Sequence, residues 1–235
     1  MKFHCRLPIC CVIAALLLST TQATHAQTDR RDSTLTVIDG PTALHQLLDG
    51  NARFMKGEKI NPDRDKAARA KVAANQRPMA IILSCSDSRV APEILFDAGV
   101  GDLFVIRLAG NTLTREGQAS MEYAVAVLEC QLIMVLGHEK CGAVDAGIKA
   151  YRDSATFPGS IDTLLDNIEP AVAIASADGD PTLEKAIDEN VRVAAQQIKL
   201  AGKILPRAVA EGKLTVVGGV YHLESGQVEL LKLTE

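Results

Sequence analysis

The chain contains no tryptophan, and aromatic residues make up only 3% of its 235 residues. It also lacks an excess of basic residues, because 25 lysines and arginines stand against 29 acidic residues and the formal charge is −4. This mildly negative balance excludes nucleic acid as an expected partner. There is no low-complexity tract, internal repeat or long run of charge, and the length is ample for one domain with a sizeable core.

Long apolar runs are missing as well. The run from Ile9 to Leu18 is too short to span a bilayer, and no later run is long enough. Lys2 and Arg6 precede this run and Thr24-His25-Ala26 follows it, which is the order of a secretory signal cleaved after Ala26. An uncleaved anchor is the alternative. We predict an exported protein, periplasmic with secretion as the alternative, without membrane attachment after cleavage. The predicted parts are a signal peptide (1–26), a mobile leader (27–40) and a single α/β domain (41–235).

Cysteine is scarce once the signal is removed. Three of the six cysteines lie before residue 12, so Cys85, Cys130 and Cys141 remain. An odd number of cysteines in an exported protein does not indicate a disulfide scaffold. Cys130 lies between Leu128 and Leu132 and is interpreted as a buried apolar residue.

What the chain does contain is two apolar runs that each stop at a turn with soft metal ligands. The first run ends at Cys85-Ser-Asp-Ser-Arg89, and the second ends at His138-Glu-Lys-Cys141. Two thiolates and one imidazole are a good ligand set for zinc, with a carboxylate or a water in the fourth position. Either motif alone is weak, but together they predict a zinc site.

The alternation of apolar runs and amphipathic stretches predicts an α/β fold with a mostly parallel sheet, flanking helices and an N-terminal helical arm. In such a sheet ligands gather at the carboxyl ends of the strands, so Cys85, Arg107 and His138 should meet at one edge. Strands are predicted over 79–84, 102–107, 131–136, 214–221 and 228–233, the last two as a hairpin around residues 224–226. Helices are predicted over 61–76, 92–96, 115–128, 141–150, 161–168, 184–200 and from 41 to near Gly50 or Gly57.

Asp87 has two candidate roles. It could be the fourth metal ligand, which would close the site, or it could accept a hydrogen bond from a metal-bound water while Arg89 holds it in a bidentate pair. Three protein ligands plus water is a catalytic arrangement, whereas four protein ligands make a structural or resting site. The sequence permits both.

These motifs resemble the β-class carbonic anhydrases. The resemblance rests on residues 85–89, on Gly137-His-Glu-Lys-Cys-Gly-Ala143, on the linking stretches 101–111 and 120–125, and on the run from Leu44 to Phe54. It extends over nearly the whole mature chain. It implies reversible hydration of CO2 to bicarbonate and a proton by a zinc-bound hydroxide, with one Zn²⁺ per chain.

The resemblance also assigns residues. It implies that Cys85, His138 and Cys141 bind zinc and that Asp87 and Arg89 form an orienting dyad. The substrate-pocket positions that it implies are Gln76, Phe104, Ala109 and Tyr123. In the family this pocket lies across a dimer interface, so a homodimer or a tetramer of dimers is expected.

The chain departs from the family pattern at two positions. Leu108 stands where the family usually has asparagine, which removes one polar contact near the loop. Ile82 replaces a tryptophan that forms part of an inhibitory bicarbonate site in some members, so we do not expect that form of regulation, although Arg107 and Tyr221 match its other contacts. We predict no function for His222.

Three other functions are compatible with the same residues. One keeps the fold and the zinc but hydrolyses a CO2 analogue such as CS2. Another is a zinc-binding module without turnover, in which Asp87 stays on the metal. The last is a thiol redox protein that uses Cys85 and Cys141 and binds no metal.

Overall fold

A computed structural model describes residues 36–233, so the predicted signal peptide and most of the predicted leader lie outside the described residues. Its helices and strands in chain order are α1 Gly40–Lys56, α2 Lys66–Val72, β1 Ala80–Ser84, α3 Pro92–Leu95, β2 Leu103–Arg107, a 3₁₀ turn Ala109–Asn111, α4 Arg115–Ala126, β3 Leu132–His138, α5 Gly142–Asp153, α6 Ile161–Asp166, α7 Glu169–Ala175, α8 Leu183–Leu200, α9 Ile204–Ala210, β4 Thr215–Tyr221 and β5 Val228–Leu231. Between residues 36 and 233, no helix combines the length and the apolar character needed to cross a membrane.

The five strands form one sheet in the order β2-β1-β3-β4-β5. The first four pair in parallel, and β5 returns antiparallel to β4. The predicted fold class, a mostly parallel sheet flanked by helices, is confirmed. Because β1 and β3 are neighbours, with Ser84 paired to Leu136, their carboxyl ends lie side by side.

Side chains of the two central strands alternate between two cores. Ile81 and Leu83 in β1 point into the larger core, which includes residues of α4, α5, α7 and α8. Ile82 points into the smaller core, on the opposite face, which includes residues of α1 and α3. Every residue of β1 and β3 is buried, as expected for parallel strands covered on both faces. Cys85 continues the alternation of Ile81 and Leu83, so its thiol lies on the face of the larger core.

Helix α1 is defined by its caps. The Asp39 carboxylate accepts a hydrogen bond from the backbone N–H of Thr42 at 2.8 Å, and Pro41 occupies the first turn. The helix ends at Gly57, which adopts a left-handed conformation with φ 71°. Of the two predicted ends, Gly57 is therefore the observed one. Gly50 serves packing instead, since a Cβ there would overlap the carbonyl group of Phe96.

Other helices differ from the prediction. The helix predicted over 61–76 is confined to α2, because Asn61 and Asp63 have positive φ angles of 49° and 48° and the Asp65 side chain caps the helix start. The stretch predicted as 161–168 ends earlier and is followed by α7. Neither α7 nor α9 was predicted, since both are short and each contains a proline, Pro170 and Pro206.

Candidate metal centre

Cys85, His138 and Cys141 converge at the carboxyl edge of the sheet. Cys85 directly follows β1, His138 is the last residue of β3, and Cys141 is the residue before α5. Their ligand atoms all lie within 4.8 Å of one another, and all three residues are buried. The three predicted ligands are thus brought together by two adjacent parallel strands and one helix start.

The imidazole of His138 is oriented by the backbone. Its Nδ1 lies 2.8 Å from the carbonyl oxygen of Glu139, and because a carbonyl only accepts hydrogen bonds, Nδ1 carries the proton. The lone pair is then on Nε2, which is buried and has no hydrogen-bond partner among the described residues. A buried acceptor without a partner beside two sulfurs fits a soft or borderline metal ion.

The two thiols of the cluster change each other's pKa. Hydrogen bonding with Cys141 lowers the pKa of Cys85 to about 4, and the same contact raises the pKa of Cys141. The backbone N–H of Gly110 also donates to the sulfur of Cys85 at 3.3 Å. A dication bound here would take both sulfurs as thiolates and displace the protons that they carry.

Asp87 faces this cluster while being held from the other side by Arg89. The Nε and a terminal nitrogen of Arg89 donate to the two carboxylate oxygens of Asp87 at 2.9 and 2.7 Å. The backbone N–H of Arg89 adds a third bond of 2.9 Å. This fork keeps the pKa of Asp87 well below its usual range. One oxygen of Asp87 lies 3.9 Å from Nε2 of His138, so an ionised carboxylate stands beside the cluster.

The turn after β1 is fixed by Arg107, the last residue of β2. Its Nε donates to the carbonyl oxygen of Cys85 at 3.1 Å, and its terminal nitrogen donates to the carbonyl oxygen of Asp87 at 2.7 Å. Arg107 therefore lies at the predicted edge of the sheet, beside the turn that carries Cys85 and Asp87. Arg107 holds the backbone of the first turn rather than a side chain of the cluster.

Asn190 was not identified from the sequence. It is buried in α8, and its side-chain amide donates to the carbonyl oxygen of Gly110 at 2.6 Å. The same peptide segment donates to Cys85 through the Gly110 N–H. The sequence carries no local signal for this contact, because the two residues are 80 positions apart.

The predicted pocket residues are not gathered around the cluster within one chain. Ala109 is adjacent, since it precedes Gly110. Gln76 is exposed and lies before the start of β1, at the opposite end of that strand from Cys85, and five strand residues span about 16 Å. Phe104 is half-buried in the edge strand β2, and Tyr123 on α4 is 49% exposed.

Comparisons with known proteins agree with this arrangement. A family model described as carbonic anhydrase matches residues 80–228. A carbonic anhydrase of Mycolicibacterium smegmatis is 38% identical over 188 residues, which cover 80% of this chain and 91% of that protein. Carbonic anhydrase 2 of Mycobacterium tuberculosis is 37% identical with the same coverage, and a carbonic anhydrase of Pseudomonas aeruginosa is 36% identical over 197 residues, covering 80% and 87%.

Solved structures show the same fold. The β-carbonic anhydrase CcaA superimposes with a TM-score of 0.66 at 27% identity, covering 80% of this chain and 95% of that chain. A Coccomyxa β-carbonic anhydrase in complex with acetazolamide gives a TM-score of 0.63 at 28% identity, covering 80% and 86%. With the converging Cys-His-Cys cluster and a family match over most of the described chain, this protein belongs to the β-carbonic anhydrase family.

Proposed function

We propose that the protein catalyses the reversible hydration of CO2 to bicarbonate and a proton, with one Zn²⁺ per chain held by Cys85, His138 and Cys141. The observation that carries the proposal is the cluster of these three ligand atoms within 4.8 Å, with the carboxylate of Asp87 beside it. Zinc supplies Lewis-acid chemistry in such a site and lowers the pKa of a water molecule to about 7.

Asp87 orients the attacking water in this proposal. Its carboxylate is ionised, so it only accepts hydrogen bonds, and one oxygen faces the metal cluster at 3.9 Å from Nε2 of His138. Arg89 fixes the direction of the carboxylate through two side-chain bonds and one backbone bond. A water that donates one O–H to Asp87 has a defined orientation toward CO2. The oxygen that faces the cluster, Oδ2, accepts only one bond from Arg89 and keeps a lone pair for this water.

Hydrogen bonds from Gly110 and Arg107 hold the cluster in position. The Gly110 N–H stabilises the Cys85 thiolate, and Arg107 ties the turn that carries Cys85 and Asp87 to β2. Such supporting bonds set ligand geometry in metal sites, and their loss commonly reduces metal affinity or activity by about 10–100-fold.

A homodimer, alone or paired into a tetramer, completes the substrate pocket in our proposal. Gln76 lies at the far end of β1 from the cluster of its own chain. A partner chain would have to supply the Gln76 that the family pocket uses. Strand β2 is an edge strand whose apolar residues from Leu103 to Ile106 are only partly buried, which suits pairing with a second copy. We expect Phe104→Arg to produce monomers in sedimentation equilibrium while zinc stays bound.

We also propose that the enzyme is exported, to the periplasm, after cleavage at Ala26. The support is the order of charged, apolar and small residues at the start of the chain. Mass spectrometry of the protein from a periplasmic fraction tests this directly. A mass that begins at Gln27 is expected, and an intact N-terminus in the cytoplasmic fraction would contradict the proposal.

The deciding experiment is stopped-flow CO2 hydration by the mature protein with zinc counted, from roughly pH 6.5 to 9, a range that brackets the pKa of a zinc-bound water. Asp87→Ala should keep zinc and lose most of the turnover. Asp145→Ala, at an exposed carboxylate on α5, is the matched control and should keep both zinc and turnover.

Activity at neutral pH with one zinc per chain supports the open arrangement, and activity only at the alkaline end supports a capping Asp87. Zinc without CO2 hydration at any pH would overturn the proposal in favour of a CO2 analogue such as CS2 or a site without turnover.

A further inference from the structure

Glu139 makes hydrogen bonds through all of its polar groups. Its carbonyl oxygen accepts from Nδ1 of His138 at 2.8 Å, as described above. Its backbone N–H donates to the carbonyl oxygen of Tyr221 at 3.0 Å. Its carboxylate lies 2.8 Å from Nδ1 of His222 and accepts from the backbone N–H of Leu223 at 3.0 Å. One residue therefore joins the imidazole of the metal cluster to the β4–β5 hairpin.

His222 is held from both sides. While Nδ1 faces Glu139, its Nε2 lies 3.1 Å from the carboxylate of Glu229 in β5. Each ring nitrogen has an acidic partner, so the protonated ring donates two hydrogen bonds and cannot rotate without breaking both. His222 thus fixes the carboxylate of Glu139 relative to the hairpin. Its side chain is 30% exposed, at the edge of a cavity of about 290 Å³ between the hairpin and α8.

The segment that needs this support is the turn between two cluster residues. Glu139 and Lys140 are the only residues between His138 and Cys141, and Lys140 has a positive φ of 52°. A non-glycine residue in the left-handed region is strained and persists only where neighbouring contacts hold it. The Glu139 carboxylate supplies two such contacts from outside the turn.

We propose that Glu139 and His222 are positioning residues for His138. The carboxylate of Glu139, fixed by His222 and by the Leu223 N–H, sets the direction of the carbonyl that holds the imidazole of His138 in the tautomer that presents Nε2 to the metal. This role rests on the proposed zinc function, and it concerns how firmly the metal is held as well as turnover. Orienting contacts of this kind are worth about 10–100-fold in metal affinity.

The test measures two quantities in each variant. One is zinc affinity, by competition with a chelator, and the other is the visible absorption spectrum of the Co²⁺-loaded protein. Glu139→Ala and His222→Gln should each weaken zinc binding about tenfold or more and change the Co²⁺ bands, because the imidazole is no longer held in one orientation. Glu139→Gln keeps an acceptor oxygen for the Leu223 N–H and should recover part of the loss. Glu184→Gln is the matched control, since Glu184 lines the same cavity from α8. It should behave as wild type.

Melting temperature separates positioning from simple stabilisation. If the Glu139 and His222 variants melt earlier but keep wild-type zinc affinity and Co²⁺ bands, the residues stabilise the fold only and the inference is overturned. The Glu139→Gln variant preserves this distinction if Glu139→Ala does not fold. A wild-type protein that binds zinc and hydrates CO2 while these variants match it overturns this inference alone. A wild-type protein that binds no zinc overturns the proposed function as well.

Discussion

The side-chain amide of Asn190 in α8 donates a hydrogen bond to the carbonyl oxygen of Gly110 at 2.6 Å. This contact links the longest helix of the described chain to the 3₁₀ turn whose N–H meets the sulfur of Cys85. Because Gly110 has φ 73° and a Cβ there would lie 2.8 Å from Ile168, the turn depends on glycine at this position and on Asn190 for its carbonyl.

Replacing Asn190 by alanine should destabilise the protein. The buried carbonyl of Gly110 would lose its partner, and an unsatisfied buried acceptor costs about 1–3 kcal/mol. Denaturant unfolding measures the change in the free energy of unfolding. Asn167→Ala is the control, because its amide bonds only to the nearby Thr163 carbonyl on an exposed helix. Equal losses in the two variants would contradict a special role for Asn190.

Replacing Arg89 by lysine should reduce turnover without removing zinc. Lysine keeps the charge but cannot make two parallel bonds to the oxygens of Asp87, so the carboxylate loses its fixed direction. We expect CO2 hydration to fall about tenfold or more, with zinc content unchanged. Arg152→Lys is a matched control, since Arg152 makes the same kind of fork to Asp153 on the surface. An Arg89→Lys enzyme as active as this control would remove the dyad from the mechanism.

The three buried cysteines should respond differently to substitution. Cys85→Ser, Cys141→Ser and His138→Ala should abolish zinc retention, whereas Cys130→Ala should keep it. Cys130 lies in the core, and burial raises its pKa to about 11, so it should also resist alkylation in the folded protein. Zinc counting by atomic absorption and thiol labelling measure both effects. Zinc retained by either cysteine variant of the cluster would show that the metal assignment is wrong.

The pH dependence of stability should reveal the protonation of His222. Hydrogen bonding to Glu139 raises the pKa of His222 above its ordinary value of 6.5, and Glu229 adds to this effect. Other charged groups around the same cavity are Lys140, Glu184 and Asp188. Folding favours the protonated ring, so its stabilising contribution is fully present below pH 6.5 and is lost as the pH rises through the higher folded-state pKa.

The measurement is the free energy of unfolding of wild type and His222→Gln at about pH 6 and about pH 9. The difference between the two proteins should shrink at the higher pH. A difference that is constant or grows would contradict a raised pKa for His222. A titration of the His222 ring followed by NMR would give the folded-state value directly.

Much of the fold follows from local pattern. Strands β1 and β3 are continuous apolar runs that end in polar turns, and the alternation of strands with helices fixes a parallel sheet. The convergence of Cys85 and His138 follows from that topology, because neighbouring parallel strands end at one edge. The sequence alone could not show which glycine ends α1, because the reason for glycine at position 50 is the close approach of the distant Phe96 carbonyl.

The missed side-chain contacts join residues that are distant in the chain. Asn190 and Gly110 are 80 residues apart, and His222 and Glu139 are 83 residues apart. Neither pair has a spacing or a flanking pattern that marks it. The missed helices α7 and α9 are seven residues each, too short for an apolar period to stand out.

The order of the strands across the sheet differs from their order along the chain. Strand β3, which ends at His138, lies between β1 and β4, and β4 begins only at Thr215. Cys85, His138 and Cys141 are therefore synthesised well before β4, the strand that pairs with β3 and places Tyr221 opposite His138. Non-local pairing of this kind delays folding. In an oxidising compartment, metal binding by Cys85 and Cys141 would therefore compete with their joining as a disulfide until folding buries both sulfurs.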